Sequence, residues 1–105
     1  MKNKILTLLG FATKAGRLSF GMKATEEALK SGKSKVVVIA DDVSPKSKKE
    51  VLFFSHNKDV QIITLKDTTI TDVSEAVGRK CGIISVNDKG FADAILNITG
   101  GNAND

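Results

Sequence analysis

Cysteine and histidine are almost missing from this chain, which has one of each, Cys81 and His56. A disulfide within the chain is therefore impossible. One thiol and one imidazole cannot build a structural zinc site without several carboxylates, and no ligand-like spacing is present. A reducing, cytoplasmic setting is the default for such a composition. Long apolar runs are missing too. Nothing approaches the roughly 18 apolar residues of a membrane helix. The apolar stretch after Lys2 and Lys4 is broken by Thr7 and Gly10, with no small-residue cleavage site behind it. Neither a membrane span nor an export signal is expected. Asn97-Ile98-Thr99 then matches the glycosylation pattern by chance. No G-x-x-x-x-G-K-[ST] loop or G-x-G-x-x-G turn occurs, so no nucleotide-phosphate cradle is expected, and no cofactor or metal.

What the chain does have is lysine, unevenly placed. Residues 1–49 hold 11 Lys/Arg against 4 Asp/Glu, a net of +7, and residues 50–105 hold 5 against 8, a net of −3. A basic half beside an acidic half gives a molecule with a positive face, and polyanions are the usual partners of such a face. Charge alone leaves a second reading open, in which the lysines only solvate helix surfaces.

At 105 residues there is room for one domain and one core. Ile5, Leu8, Leu9 and Ala12 recur at helical spacing, so a helix is predicted over 3–13, stopped near Gly16. Arg17 to Phe20 reads as a short extended piece. Met22, Thr25, Ala28 and Leu29 give the next helix a narrow apolar stripe closed by Gly32. Val36 to Ala40 is the unbroken apolar run of a central strand covered on both faces. Ser44 and Pro45 open a helix as N-cap and first residue, running to about Asn57. Its start is basic, which opposes the helix dipole, and Val51, Leu52 and Phe54 make it apolar later. Strands follow at 60–65 and 82–86, with a helix between them from a Thr69/Asp72 capping pair to Gly78. Asp88 caps a last helix, and 100–105 reads as a disordered tail. Helices alternating with strands predict an α/β fold: a three-layer α/β/α sandwich on a small mixed sheet, as a single domain over 1–99.

Catalysis finds little support in these residues. His56 lies in a polar helix end without an evident partner. Cys81 stands beside Arg79 and Lys80, whose charges would favour a thiolate, yet packing at a strand edge is the expected role. Asp41 and Asp42, just beyond a buried strand, are placed like the acidic magnesium pocket of response-regulator receivers. The matching third aspartate and late lysine are missing, and the strand comes after two helices rather than opening the chain. A non-enzyme is expected.

Several fragments in fixed order resemble one family. They are Leu9-Gly10-Phe11-Ala12-Thr13-Lys14-Ala15-Gly16-Arg17, Gly21, Ala28 to Lys35, Val36 to Asp42, Glu75 to Gly78, and Asp88 to Ala92. Together they resemble the kink-turn RNA-binding ribosomal proteins of the archaeal and eukaryotic large subunit and their small bacterial relatives of the YlxQ type. The resemblance spans roughly residues 5–98 and implies an α/β/α sandwich. It also implies that the N-terminus of the second helix and the loop after the fourth grip a kinked RNA, a duplex with a short bulge beside sheared G·A pairs. A helix N-terminus offers free N–H groups to phosphates, and such RNA is recognised by shape and splayed bases.

The family's RNA helix begins Gly-x-Asn-Glu-x-x-Lys, and here Gly21-Met22-Lys23-Ala24-Thr25-Glu26-Glu27 stands in its place. Lys23 replaces the Asn, Ala24 removes a carboxylate that accepts from a guanine edge, and Glu27 reverses a charge. Asp41 occupies the place of a Glu near the flipped-out base. Val77, Gly78, Arg79 and Lys80 form the loop, with apolar and basic character for a base and a phosphate. Lys14, Arg17, Lys23, Lys30 and Lys33 are left to contact phosphates, salt-sensitive contacts with little sequence information. The expected function is that of an RNA-binding, ribosome-associated accessory protein recognising structured, kink-turn-like RNA, monomeric, with structured RNA as partner and a ribosomal or RNA-processing protein as a second one. The alternative is a protein–protein adaptor that keeps the fold without the RNA specificity, favoured by Glu26 and Glu27.

Overall fold

A computed structural model describes residues 2–56 and 58–99. The expected tail at 100–105 lies outside them, as does Asn57, where the third helix was expected to end. Nine elements follow one another: α1 (Lys2–Lys14), β1 (Leu18–Phe20), α2 (Met22–Lys30), β2 (Val36–Ala40), α3 (Pro45–Ser55), β3 (Gln61–Leu65), α4 (Ile70–Val77), β4 (Ile83–Val86) and α5 (Lys89–Ile98).

The strands form one sheet in the order β1-β4-β2-β3. β4 is antiparallel to both β1 and β2, and β2 is parallel to β3, so the sheet is mixed. β2 and β4 are central and every residue in both is buried. That is why β2 reads as an unbroken Val-Val-Val-Ile-Ala run: each face of the strand meets a layer of helices, so alternation has no place. α1 packs on α4 and α5, and α2 packs on α3, which gives the two outer layers. Ile5, Leu9 and Ala12 are the buried stripe of α1, as their spacing predicts.

Local signals fix the helix ends. Ser44 Oγ accepts from the Ser47 N–H at 3.2 Å and Pro45 is the first helical residue of α3. Thr69 and Asp72 form a reciprocal capping box on α4, and Asp88 accepts from the Phe91 N–H at 2.9 Å to start α5. Of the apolar residues late in α3 only Val51 is buried; Leu52 is 56% and Phe53 76% exposed. α3 packs chiefly on α2, so only a narrow stripe of it is covered.

Candidate nucleic-acid interface

Where β1 ends, Phe20 leads directly into Gly21, the N-cap of α2. Gly21 adopts φ 90° and ψ 170°, a conformation that a residue with a Cβ rarely takes. Its N–H donates to the Ile83 carbonyl at 2.8 Å, which pins the start of α2 to the start of β4. No side chain caps α2, and its first turn holds no acidic residue. The positive pole of the helix is thus open, with Lys23 exposed beside it.

The loop after α4 comes to the same place. The Arg79 guanidinium carbon lies 4.7 Å from the centroid of the Phe20 ring, a cation–π contact that joins the loop to the residue preceding Gly21. Ser74 holds the loop from beneath: its hydroxyl donates to the Cys81 carbonyl at 3.1 Å and accepts from the Cys81 N–H at 3.0 Å. Arg79 and Lys80 remain exposed and, with Ile70, Thr71, Ser74, Glu75 and Gly78, line a shallow depression of about 370 Å³. Val77 requires a correction. Expected as part of the contact loop, its side chain is only 5% exposed and belongs to the core, so it anchors the loop instead.

Asp41 and Asp42 close this end of the sheet. Asp41 Oδ2 accepts from the Asp67 N–H at 3.1 Å, and Asp42 Oδ1 accepts from the Ile70 N–H at 2.7 Å. Both carboxylates tie the β3–α4 loop to the end of β2. Lys48 Nζ donates to the Asp41 carbonyl at 3.0 Å.

The other basic residues lie elsewhere. Lys35 N–H donates to the carbonyl of Val86, the last residue of β4, and the Arg17 carbonyl accepts from Asn87. Lys14, Arg17 and Lys33 therefore belong to the opposite end of the sheet from Gly21 and Arg79. Lys30, at the C-terminal end of the nine-residue α2, is separated from Gly21 by about 14 Å of helix. Two of these charges are partly engaged: Lys30 pairs with Glu26 at 2.9 Å, and Arg17 is 4.0 Å from Asp88. The structure thus brings together Gly21, Lys23, Asp41, Gly78, Arg79 and Lys80, and sets Lys14, Arg17, Lys30 and Lys33 apart. Phe20 and Ser74 were missed from sequence. The adjacency of Phe20 to Gly21 was visible, but its contact with Arg79, 59 positions away, was not.

Cys81 is not an activated thiol. Burial raises its pKa above the ordinary thiol value, and the Arg79 charge offsets this only in part. We expect Cys81 to alkylate slowly at pH 7–8 in the folded protein, with the rate of a free cysteine restored in urea. Timed labelling followed by mass measurement checks this; fast labelling of the folded chain would show an exposed thiolate.

The sequence and the fold have counterparts among known proteins. The profile of the ribosomal protein L7Ae/L30e/S12e/Gadd45 family matches residues 3–95. The RNA-binding protein YlxQ of Enterococcus faecium is 29% identical over 91 residues, covering 87% of this chain and 86% of that one. The large ribosomal subunit protein eL30 of Candida glabrata is 27% identical over 89 residues, covering 83% and 84%. Among solved structures, a Bacillus halodurans C protein of unknown function superposes with a TM-score of 0.85 at 23% identity, over 92% of this chain and 97% of that one. The Giardia lamblia 15.5kD RNA binding protein superposes with a TM-score of 0.73 at 15% identity, over 91% and 82%. At these identities the two structures speak for the fold.

Proposed function

Because the chain belongs to the ribosomal protein L7Ae/L30e/S12e/Gadd45 family, we propose that it binds structured RNA of the kink-turn kind, in association with the ribosome in the cytoplasm. Its relatives are ribosomal and RNA-binding proteins, and the chain is not an enzyme. No described helix is long and apolar enough to cross a membrane.

The observation that carries the reading is the junction of Phe20, Gly21 and Arg79. It places an uncapped helix N-terminus and two exposed cations, Arg79 and Lys80, around one edge. Backbone N–H groups of α2 would take a phosphate oxygen, with Lys23 beside it. Arg79 would reach a second phosphate with its remaining guanidinium edge while its face stays on Phe20. Lys14, Arg17, Lys30 and Lys33, placed at the other end, would add only long-range attraction. The mechanism is docking by shape and phosphate contacts, without turnover and without a cofactor.

The test is a titration with a kink-turn RNA and a matched plain duplex at about 50 and 150 mM salt. Preference for the kink-turn should persist at the higher salt, and Arg79→Ala should weaken that binding about tenfold or more. Lys33→Ala should cost much less. Equal binding to both RNAs that collapses with salt would overturn the reading. The adaptor alternative would then lead; it rests on exposed Glu27, a carboxylate on the helix that would face RNA.

A further inference from the structure

Helix α3 carries a surface that the docking edge does not use. Phe53 is 76% exposed and stands edge-on to Phe54, with ring centroids 6.0 Å apart. Pro45, Lys46, Lys49, Glu50, Phe53 and Phe54 line one open groove of about 680 Å³ along the helix. Their spacing of i, i+3, i+4 and i+7 from Lys46 places the cations and the ring on a single face. The first turn of α3 has no acidic residue, so lysine charge and helix dipole add at the same end. Neither Lys46 nor Lys49 has an ion-pair partner among the described residues, although Glu50 is one turn from Lys46.

An occupant of this face must bring anionic groups to the start of α3 and a flat apolar surface to its end. Single-stranded RNA has both: phosphates for a basic groove and base faces that stack on an aromatic ring. The position of the helix favours the same occupant. α3 starts beside the docking edge, where Lys48 holds the carbonyl of Asp41, and runs away from it for 11 residues, about 16 Å. A strand leaving RNA held at that edge would meet Lys46 first, then Lys49, then Phe53.

We propose that α3 is a track for a short single-stranded segment continuing from the structured RNA, with Lys46 and Lys49 on phosphates and Phe53 stacked on a base. The inference rests on the RNA reading above, and its test separates the two. The chain contains no Trp and no Tyr, so Phe53→Trp introduces one fluorophore at the stacking position. This variant is titrated with a kink-turn RNA that is either blunt or extended by five unpaired nucleotides. The extended RNA should bind about tenfold more tightly than the blunt one and quench the indole, whereas blunt RNA should bind without quenching. In Phe53→Ala most of the gain from the extension should be lost, with a small salt-sensitive remainder from Lys46 and Lys49, while the affinity for blunt RNA stays unchanged. An extension without effect, or a gain undiminished in Phe53→Ala, overturns the track. If neither RNA binds, the docking reading fails, and the indole variant is titrated with a free single-stranded oligonucleotide at low salt. Quenching there keeps the track, and its absence overturns it as well. An emission shift that follows protein concentration, or that an acidic leucine-rich peptide produces and RNA does not, would assign the face to a second copy or a protein partner and overturn the proposal.

Discussion

Changing Ala24→Glu and Glu27→Lys together should raise affinity for a kink-turn RNA about a hundredfold, with a much smaller rise for a matched duplex. Each good base contact contributes about 1–3 kcal/mol, and 1.4 kcal/mol is tenfold in affinity. Ala24 lies in the first turn of α2, three residues beyond Gly21, where a new carboxylate also sits favourably at the positive pole of the helix. It is half-buried, so a longer side chain there can reach solvent beside Gly21. Glu27 is exposed, and on the RNA reading its replacement removes a like charge that would face phosphate. Each single change should give part of the effect, and Ala24→Gln, which keeps length without charge, should give little. Dissociation constants of the five proteins, the unchanged chain included, for both RNAs decide the matter. Equal gains on both RNAs would show that only net charge changed. No gain at all would leave the adaptor reading ahead, because the rest of the helix start would then be unable to seat the RNA.

Gly82→Val should lower stability by about 1–3 kcal/mol and disturb RNA docking with it. A Cβ at Gly82 would lie 2.7 Å from Ile70 Cγ1 and 2.8 Å from Val43 Cγ2. The residue joins the loop to β4, and its carbonyl accepts from the Ala40 N–H at 2.8 Å, so the backbone cannot move away without giving up a bond between the two central strands at their end. Relief must come from Val43, from Ile70 at the start of α4, or from both. Moving Ile70 strains the Asp42–Ile70 hydrogen bond and shifts the depression beside Arg79. For a domain of this size 1 kcal/mol is about 4–8 °C in Tm. Thermal unfolding should therefore show a drop of several degrees, and Ile70→Ala added to Gly82→Val should recover part of it. Additive losses in that pair would mean that the contact with Ile70 is not the source of strain.

Much of the fold was legible because its signals are local. The Val36–Ala40 run announces a strand with two covered faces, Ser44-Pro45 and Thr69/Asp72 announce helix starts, and the apolar spacing in α1 announces its stripe. Each of these depends on residues within a turn or two of one another. The candidate site was legible only in part. Gly21 can be placed on a helix start from its neighbours, but the distance of Lys30, at the far end of that helix, and of Lys33, beyond it, from the docking edge is not legible in the sequence. Likewise Val77 looked available because it sits in a loop-like stretch, yet its side chain turns inward as the last buried position of α4. The apolar end of α3 does not by itself say which of its residues are covered: Val51 is buried while Leu52 and Phe53 are exposed, which packing chiefly against α2 decides.

The sequence by itself determined the element order, the α/β class, the family and the absence of a disulfide, since composition and near-neighbour patterns carry all of these. Tertiary structure alone decided that β4 lies between β1 and β2, and everything about the site follows from that. With β4 there, the loop at Arg79 arrives beside Phe20 and Gly21 at one end, while Arg17 and Lys33 are carried to the other. Strand order is set by which faces can be buried together, a property of the whole chain that no short window of residues contains.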